Sequence, residues 1–222
     1  MRFRPIRIVA VVLVLLVLLL FGAWIGVGYA SVAGIETPKY KVAEKRDGYE
    51  IRVYEPLIVA EVTVEGPQDE ALNRGFRKIA DYIFGNNTKR SQQGSEKIAM
   101  TAPVLEQAAP SEKIAMTAPV LEQGQAGKHI VSFVMPSSYT MDTLPKPNNS
   151  EINIREVPER KCAVLRFSGY APEKKSRAKK EQLLEYAKRD GLEVVGEPIL
   201  AQYNPPWTPP FMRRNEVLVE IR

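Results

Sequence analysis

Side chains that could bind a metal or act as a nucleophile are few in this chain of 222 residues, which has a single histidine, His129, and a single cysteine, Cys162. One histidine cannot supply a histidine-rich zinc site or the two histidines of a His-Glu-x-x-His motif. The sequence also contains no Gly-x-Ser-x-Gly motif of the serine hydrolases and no glycine-rich phosphate loop. We therefore expect a binding protein and not an enzyme, and no catalytic residue is predicted.

The side chains that could coordinate a metal also have structural interpretations. His129, the thioethers of Met100 and Met116, and the thiolate of Cys162 are possible ligands. His129 starts a predicted strand, where a partly exposed residue without a ligand role is also expected. Methionine and free cysteine are common in protein cores. A single cysteine excludes an internal disulfide, so packing must stabilise the fold.

The amino terminus carries a long apolar segment. Residues 8–27 contain no charged side chain, and at about 1.5 Å per residue such a helix spans roughly 30 Å, the hydrocarbon thickness of a bilayer. Arg2, Arg4 and Arg7 precede it, and positive flanks stay cytoplasmic, which places the rest of the chain outside the cytoplasm. The alternative is a signal peptide cleaved after Ala33, although the usual apolar region of such peptides is only about 7–15 residues long.

The remaining length fits one domain, so the chain is predicted to consist of an anchor or signal segment, residues 1–35, and a domain at 36–222. The formal net charge of +5 comes from 31 Lys and Arg against 26 Asp and Glu. Without the three arginines of the amino terminus the balance is 28 against 26, or +2. This balance predicts no nucleic-acid partner. The domain is expected to be anchored by a single pass on the extracytoplasmic side, or secreted or periplasmic if the segment is cleaved.

Alternating apolar and polar residues predict two similar series of strands and helices. The first series has strands at 40–43, 49–54, 57–64 and 129–135 and a helix at 69–84. The second has strands at 151–158, 163–169, 192–195, 199–203 and 215–221 and a helix at 173–189. Neither series can bury both its sheet face and its helix alone. The predicted fold is α+β: a distorted antiparallel β-barrel of two pseudo-repeated ββαββ halves with two flanking helices, plus an amino-terminal transmembrane helix.

Thirteen residues occur twice without a change, at 95–107 and 111–123. A repeat this short is a duplicated strand and not a solenoid unit, which needs about 20 residues or more. Pro103 and its counterpart Pro119 lack the N–H that a central strand donates, so the strand is expected to bend there or to lie at an edge. The two copies are predicted to form a hairpin around residues 108–110, with one copy in the barrel and the other at its edge.

Four segments of the chain together carry a family resemblance. They are Tyr-Glu-Ile-Arg-Val-Tyr at 49–54, Lys-Ile-Ala-Met-Thr-Ala-Pro-Val at 97–104, Val-Ser-Phe-Val-Met-Pro at 131–136 followed by Leu-Pro-Lys-Pro at 144–147, and Tyr-Asn-Pro-Pro-Trp-Thr-Pro-Pro-Phe-Met-Arg-Arg-Asn-Glu-Val at 203–217. In these segments the chain resembles the SOUL haem-binding protein family, over residues 40–222. The resemblance implies a two-helix, eight-stranded distorted barrel that binds haem or another tetrapyrrole in an apolar groove. The apolar amino terminus and the repeat lie outside the minimal family pattern.

The chain lacks the Cys-x-x-Cys-His motif of covalent haem attachment. A bound haem is therefore expected to be held non-covalently. The predicted helix at 69–84 is the candidate wall of the groove. The candidate cofactor-binding residues are Phe76, Ile79, Ile83, Arg77, Met100, His129 and Trp207, with His129 also the candidate metal ligand.

These candidates have alternatives that the sequence leaves open. Phe76, Ile79 and Ile83 could face a porphyrin or only seal the barrel. Arg74, Arg77 and Lys78 could pair with haem propionates or form a solvated helix face. Trp207 and Phe211 could close one end of the barrel or line the groove, while Arg213, Arg214 and Glu216 are expected to form ion pairs that position the last strand. The basic first turns of the second helix could bind lipid phosphates or be solvated.

The function predicted from these observations is a membrane-anchored protein that binds haem or a related tetrapyrrole for carriage, buffering or sensing, without catalysis. The alternative is a structural domain that binds a protein or lipid and does not bind haem. The sequence identifies no protein partner.

Overall fold

The computed structural model describes residues 4–90, 94–108 and 127–222. These residues form three helices: α1 (Arg4–Ala30), α2 (Gln68–Ile83) and α3 (Glu173–Arg189). They also form eleven strands: β1 (Tyr40–Arg46), β2 (Tyr49–Tyr54), β3 (Leu57–Glu65), β4 (Asn87–Thr88), β5 (Val104–Ala108), β6 (Lys128–Val134), β7 (Lys146–Pro147), β8 (Asn153–Val157), β9 (Arg160–Phe167), β10 (Val194–Gln202) and β11 (Asn215–Ile221). A 3₁₀ turn at Pro210–Met212 precedes β11.

Nine of the strands in the described residues form one antiparallel sheet, in the order β1-β2-β9-β11-β10-β5-β6-β3-β8, and β4 pairs with β7 separately. The strand order is internally symmetric. After β1, one end of the sheet has the order β2-β9-β11-β10, and the other end, read inwards, has the order β8-β3-β6-β5. Each strand in one series takes the place of its counterpart from the other half. Strand β2 of the first half pairs with β9 of the second half, and β3 of the first half pairs with β8 of the second half. The two halves are therefore joined by strand exchange and form one sheet.

The sheet curves around a single interior. One buried cluster, which includes Tyr54, Leu105, Val157, Cys162 and Leu218, takes side chains from eight of the nine strands, and Tyr40 of β1 packs against it. Because neighbouring residues of a strand point to opposite faces, the other face of the sheet is left to the helices. The predicted α+β fold with a large antiparallel sheet is confirmed. Within the described residues β1 and β8 each pair on one side only, so closure into a barrel is not shown.

Helices α2 and α3 cover the outer face of the sheet, one on each half. Ala71, Ile79 and Ile83 of α2 pack with β3 and β6, whereas Leu183 and Ala187 of α3 are buried over β9, β10 and β11. Gly75 lets α2 approach the sheet closely, since a Cβ at this position would lie 2.6 Å from the Cβ of Val131. This close packing fixes the position of α2, the predicted wall of the groove.

The first copy of the repeat enters the sheet only after Pro103. Strand β5 begins at Val104 and lies between β10 and β6, so it is an interior strand and not an edge. Residues 95–103 are not in a strand, in keeping with the missing N–H of Pro103. The second copy, residues 111–123, lies outside the described residues, and the predicted hairpin therefore stays a prediction.

Strand β10 is one strand where the sequence predicted two. Its pairing with β11 shifts register between Val195 and Ile199, and Gly196 adopts a φ of 74° within this bulge. The Gly-Glu-Pro sequence at 196–198 is typical of a break between strands, but in a bulge a glycine and a proline are tolerated without ending the strand.

A buried ionic cluster holds β11 at the centre of the sheet. The Glu216 carboxylate is fully buried and accepts hydrogen bonds from Arg52 (3.1 Å), Tyr203 (2.7 Å) and Arg214 (3.0 Å). The predicted ion pair between Arg214 and Glu216 is thus present. Arg213 instead donates to backbone carbonyls of the preceding proline-rich segment, including that of Thr208 at 3.0 Å.

Candidate functional site

A groove of about 350 Å³ lies on the exposed side of α2. Its lining residues are Glu70, Asn73, Arg74, Phe76 and Arg77. Phe76 is 39% exposed although its ring packs against that of Phe133, with 5.3 Å between the centroids. The groove therefore presents an aromatic ring to solvent next to two guanidinium groups.

Helical periodicity produces this arrangement. Asn73, Phe76, Ala80 and Phe84 follow one another at spacings of three and four residues, and Arg77 lies four residues after Asn73, which places them on one side of the helix. Phe84, at the carboxyl end, is 59% exposed. The apolar stripe of α2 is therefore wider than the part buried against the sheet.

The two arginines of the groove differ in their contacts. Arg74 pairs with Glu70 one turn earlier at 3.4 Å and donates a hydrogen bond to the carbonyl of Glu65. Arg77 forms no ion pair within the part of the chain that the structure describes. Lys78, which the sequence grouped with them, pairs with Glu151 at 2.8 Å and is not in the groove lining. Arg77 is thus the cation most available to an anionic ligand here.

Ile79 and Ile83, two candidate wall residues, lie beneath the groove. Ile79 is 0% and Ile83 is 1% exposed, and both pack in the core between α2 and the sheet. Their contacts hold the helix that carries Phe76 and Arg77. Only Phe76 of the three predicted apolar wall residues reaches the groove surface.

His129 belongs to a separate polar cluster on β6. Its Nδ1 lies 2.8 Å from Oε1 of Glu106, and the other carboxylate oxygen of Glu106 accepts a hydrogen bond from Lys180 of α3 at 3.1 Å. Four residues separate His129 from Phe133 on the same face of β6, a distance of about 13 Å along the strand. With Nδ1 held by Glu106, the remaining nitrogen Nε2 is the one that could bind a metal.

Glu106 was not identified from the sequence. It is 1% exposed and lies on β5 directly opposite Val131, inside the repeated segment. Strand alternation could have identified it. Alternation places Glu106 on the same face as Val104, which packs against the core, and a charge at such a position requires partners.

The other candidate residues lie elsewhere. Met100 is half-buried in the segment that crosses the carboxyl end of α2, where the N–H of Ile98 donates to the carbonyl of Ile83 at 2.9 Å. Trp207 is 57% exposed and contacts α1, because the indole Nε1 of Trp24 donates to its carbonyl at 2.8 Å. The structure thus brings Phe76, Arg74 and Arg77 together and does not bring Trp207 to them.

Cys162 is shielded from ligands inside the curved sheet. Its side chain is 0% exposed, and burial raises the pKa of its thiol to about 11. A neutral buried thiol is a packing residue. Among the described residues no group of three or more His, Cys, Asp and Glu side chains is arranged to hold a metal ion.

A second cleft, of about 440 Å³, opens where the chain leaves α1 and meets the sheet. Its floor includes Leu57, Val134 and Val157, while Glu36, Glu55, Glu156 and Lys39 are among the polar residues at its lining. Three carboxylates against one amine make this cleft unsuited to an anionic ligand.

The described elements form an α+β domain, and comparison with known proteins identifies its family. The model of the SOUL heme-binding protein family matches residues 35–220, so the chain belongs to this family. Heme-binding protein 2 of Homo sapiens is 31% identical over 195 residues, covering 85% of this chain and 87% of that protein. Heme-binding protein 1 of Sus scrofa is 30% identical over 194 residues, covering 82% of this chain and 91% of that protein.

Solved structures support the fold alone. The EcmrR C-terminal domain superposes with a TM-score of 0.55 at 11% identity, covering 82% of this chain and 98% of that one. A hydrolase from Listeria innocua superposes with a TM-score of 0.50 at 11% identity, covering 81% of this chain and 94% of that one.

Proposed function

We propose that the protein binds haem non-covalently in the α2 groove and is held at a membrane by α1, serving in carriage, buffering or sensing and not in catalysis. Family membership and the relatives named for heme binding support the ligand. One observation carries the site: Phe76 is exposed beside Arg74 and Arg77 in a groove of about 350 Å³.

The chemistry of the groove fits haem. The macrocycle is flat and apolar, and Phe76 offers an exposed ring on which it can stack. The haem carboxylates need cations, and a guanidinium binds a carboxylate through two parallel hydrogen bonds. The groove is shallow, because all its lining residues lie on α2, so the macrocycle would pack on the helix with one face and leave the other face open. When bound, haem supplies an iron centre that can bind a further ligand or exchange an electron.

Each side chain then has a defined part. Arg77 and Arg74 hold the propionates, Phe76 packs on the ring, and Ile79 and Ile83 keep α2 in place beneath them. His129 is the side chain that would bind the iron through Nε2, since the contact of Nδ1 with Glu106 orients the imidazole. Met100 and Trp207 have no assigned contact with the macrocycle in this proposal.

The remaining elements are assigned as follows. Helix α1 anchors the chain by one pass, with the domain on the extracytoplasmic side, because Ile8–Ala30 is long and apolar enough to cross a bilayer and follows three arginines. The nine-stranded sheet encloses its interior as a distorted barrel, because eight strands contribute to one inner cluster.

A spectral titration of the full chain in detergent micelles tests haem binding. Stoichiometric binding is expected to shift the Soret band, and a spectrum identical to that of free haem would refute it. Such a result would favour the alternative, a domain that binds a protein or lipid without haem.

Two variants test the position of the site. Phe76→Ala is expected to weaken haem affinity about tenfold, since loss of a buried stacking contact costs about 1–2 kcal/mol. Arg77→Glu is expected to weaken it by about fivefold or more, because attraction to a carboxylate becomes repulsion. The matched control is Arg177→Glu, which reverses an exposed arginine on α3 and should leave affinity unchanged. Equal effects of Arg77→Glu and Arg177→Glu would remove the α2 groove from the proposal.

The axial role of His129 is tested separately. His129→Ala should change the position and shape of the Soret band if Nε2 binds the iron. An unchanged spectrum with unchanged affinity would remove His129 as a ligand while leaving the groove in place.

A further inference from the structure

The proline-rich segment at 205–212 lies against the apolar helix α1. Its two large aromatic side chains are exposed, Trp207 at 57% and Phe211 at 59%. The ring of Phe211 lies 6.2 Å from that of Phe21 of α1, and Trp24 donates from its indole Nε1 to the carbonyl of Trp207 at 2.8 Å. The segment therefore follows the outer end of α1.

The contact stripe on α1 shows close docking. Phe21, Trp24 and Gly28 recur at three- and four-residue spacing and so share one side of the helix. Gly28 is buried, and a Cβ there would lie 2.6 Å from Cδ of Pro209. Only a glycine allows this approach, so α1 and the segment pack as neighbouring elements.

The depth of this contact follows from the length of α1. The apolar part of α1 ends between Val27 and Ala30. At 1.5 Å per residue, Phe21 lies about 9–14 Å before that end. If α1 crosses a bilayer, Phe21 is within the outer leaflet, and Phe211 in contact with it must be there too. Trp24 and Trp207 then lie near the boundary with the headgroups, where tryptophan is enriched in membrane proteins.

From this contact we infer that the segment at 205–212 inserts into the outer leaflet of the bilayer as a second membrane contact beside α1. The inference rests on the proposed anchoring by α1. The partner is a phospholipid bilayer, and the domain is seated on its surface and not suspended from the anchor by a free linker.

The backbone of the segment is suited to an environment without water. Four of its eight residues are prolines, which have no N–H group to satisfy. The carbonyls of residues 205–210 all accept hydrogen bonds. Their donors are the backbone N–H groups of Thr208, Met212 and Gly169, the Arg213 guanidinium, which serves two carbonyls, and the indole of Trp24. Within lipid, unpaired backbone groups are costly, and here the carbonyls of residues 205–210 and the N–H groups of Thr208 and Met212 are paired before insertion.

Charges are placed where the headgroups would be. The N–H of Gly169 donates to the carbonyl of Pro210 at 2.9 Å, which joins the segment to the loop before α3. The first turns of α3 carry Lys174, Lys175 and Arg177, a position at which cations oppose the helix dipole; Lys175 donates to the carbonyl of Ser168 at 2.7 Å and Arg177 pairs with Glu173 at 2.6 Å. Phosphate groups of lipids next to the inserted segment would offset this repulsion.

Fluorescence depth measurements on the full chain in phosphatidylcholine nanodiscs test the inference. The chain has two tryptophans, so Trp24→Phe leaves Trp207 as the only one, and Trp207→Phe leaves Trp24. Lipids brominated on the acyl chains should quench both. The apolar surroundings should blue-shift both emissions, and aqueous acrylamide should quench neither strongly. A chain without native tryptophan that carries Phe211→Trp should behave in the same way. The control is Asp47→Trp in that chain, at a turn whose side chain is 99% exposed; it should be quenched by acrylamide only.

The outcomes separate the two proposals. If bromolipids quench Trp24 but neither Trp207 nor the reporter at position 211, the inserted segment is refuted and the anchor stands. If Trp24 itself is not quenched, anchoring by α1 is refuted, and the inserted segment with it.

Discussion

Two buried groups show what single side chains contribute inside the curved sheet. Glu216 is fully buried and joins Arg52 of β2, Tyr203 after β10 and Arg214 before β11. Cys162 lies in the same interior without an ionic partner, and burial raises the pKa of its thiol to about 11. Glu216 is therefore a structural ion-pair partner, and Cys162 is a packing residue.

Glu216→Gln should lower the free energy of unfolding by about 3 kcal/mol, because it leaves the buried guanidinium of Arg52 and that of Arg214 without their shared carboxylate. Chemical denaturation in micelles measures the loss. Glu220→Gln, at an exposed position four residues further along β11, should change stability by less than about 0.5 kcal/mol. A loss for Glu216→Gln as small as that of the control would show that the cluster is dispensable.

Cys162 makes the stability of the domain depend on alkaline pH. Between the ordinary thiol pKa of 9.0 and the folded value of about 11, the unfolded chain loses the proton and the folded one keeps it. Stability therefore falls as pH rises through this window, by about 2–3 kcal/mol from this thiol. Burial also raises the pKa of Tyr54 to about 12 and adds to the loss above pH 10.

Unfolding free energies of the native chain and of Cys162→Ala, measured from pH 8 to 11, isolate the thiol. The difference between the two should shrink as pH rises towards 11. Parallel curves would mean that the thiol titrates alike in the folded and unfolded states.

At the scale of elements, the sequence predicted most of the architecture because periodicity is a local property. The predicted helices at 69–84 and 173–189 are confirmed within one residue at each end, as are the strands at 49–54, 57–64 and 215–221. The exchange of β2 and β8 between the halves could not be predicted, because strand partners depend on contacts distant in the chain. The single strand β10 was missed because Gly196 and Pro198 are more typical of turns than of a bulge.

The candidate site was predicted in part for the same reason. Phe76 and Arg77 are adjacent in α2 and meet in the groove by local geometry alone. Phe76 is exposed and Ile79 is buried because of the side of α2 that meets β6. Periodicity does not specify that side at the border of the apolar stripe. Glu106 is linked to His129 only through the pairing of β5 with β6. Polar contacts of this kind, between residues distant in the chain, could therefore not be predicted from the sequence.

Gly75→Ala tests whether the close contact of α2 with β6 positions the helix. The added Cβ would meet Val131 at 2.6 Å, and such overpacking costs about 1–3 kcal/mol, against about 1 kcal/mol gained in helix propensity. We expect a net loss of stability in thermal or chemical unfolding. Because the clash is with Val131, the pair Gly75→Ala and Val131→Ala should be less destabilising than the sum of the two changes. Strict additivity would show that the contact does not limit the approach of α2.

At the scale of the whole molecule, the described residues place the proposed ligand site and the proposed membrane contact on different elements. The groove lies on α2 over one half of the sheet, whereas α1 and the segment at 205–212 meet beside the loop that leads into α3. A protein arranged in this way can exchange its ligand with water while it remains attached to a membrane. The proposed carriage or buffering of haem close to the bilayer would use this arrangement.

Paramagnetic broadening of amide signals measures the location of bound haem directly. Ferric haem added to the ¹⁵N-labelled full chain in micelles should broaden the amide signals of α2 around Phe76, Arg77 and Ala80, and leave those of Thr37, Leu57 and Val157 at the second cleft sharp. Broadening centred on the second cleft, or no selective broadening at all, would contradict the assignment of the α2 groove as the haem site.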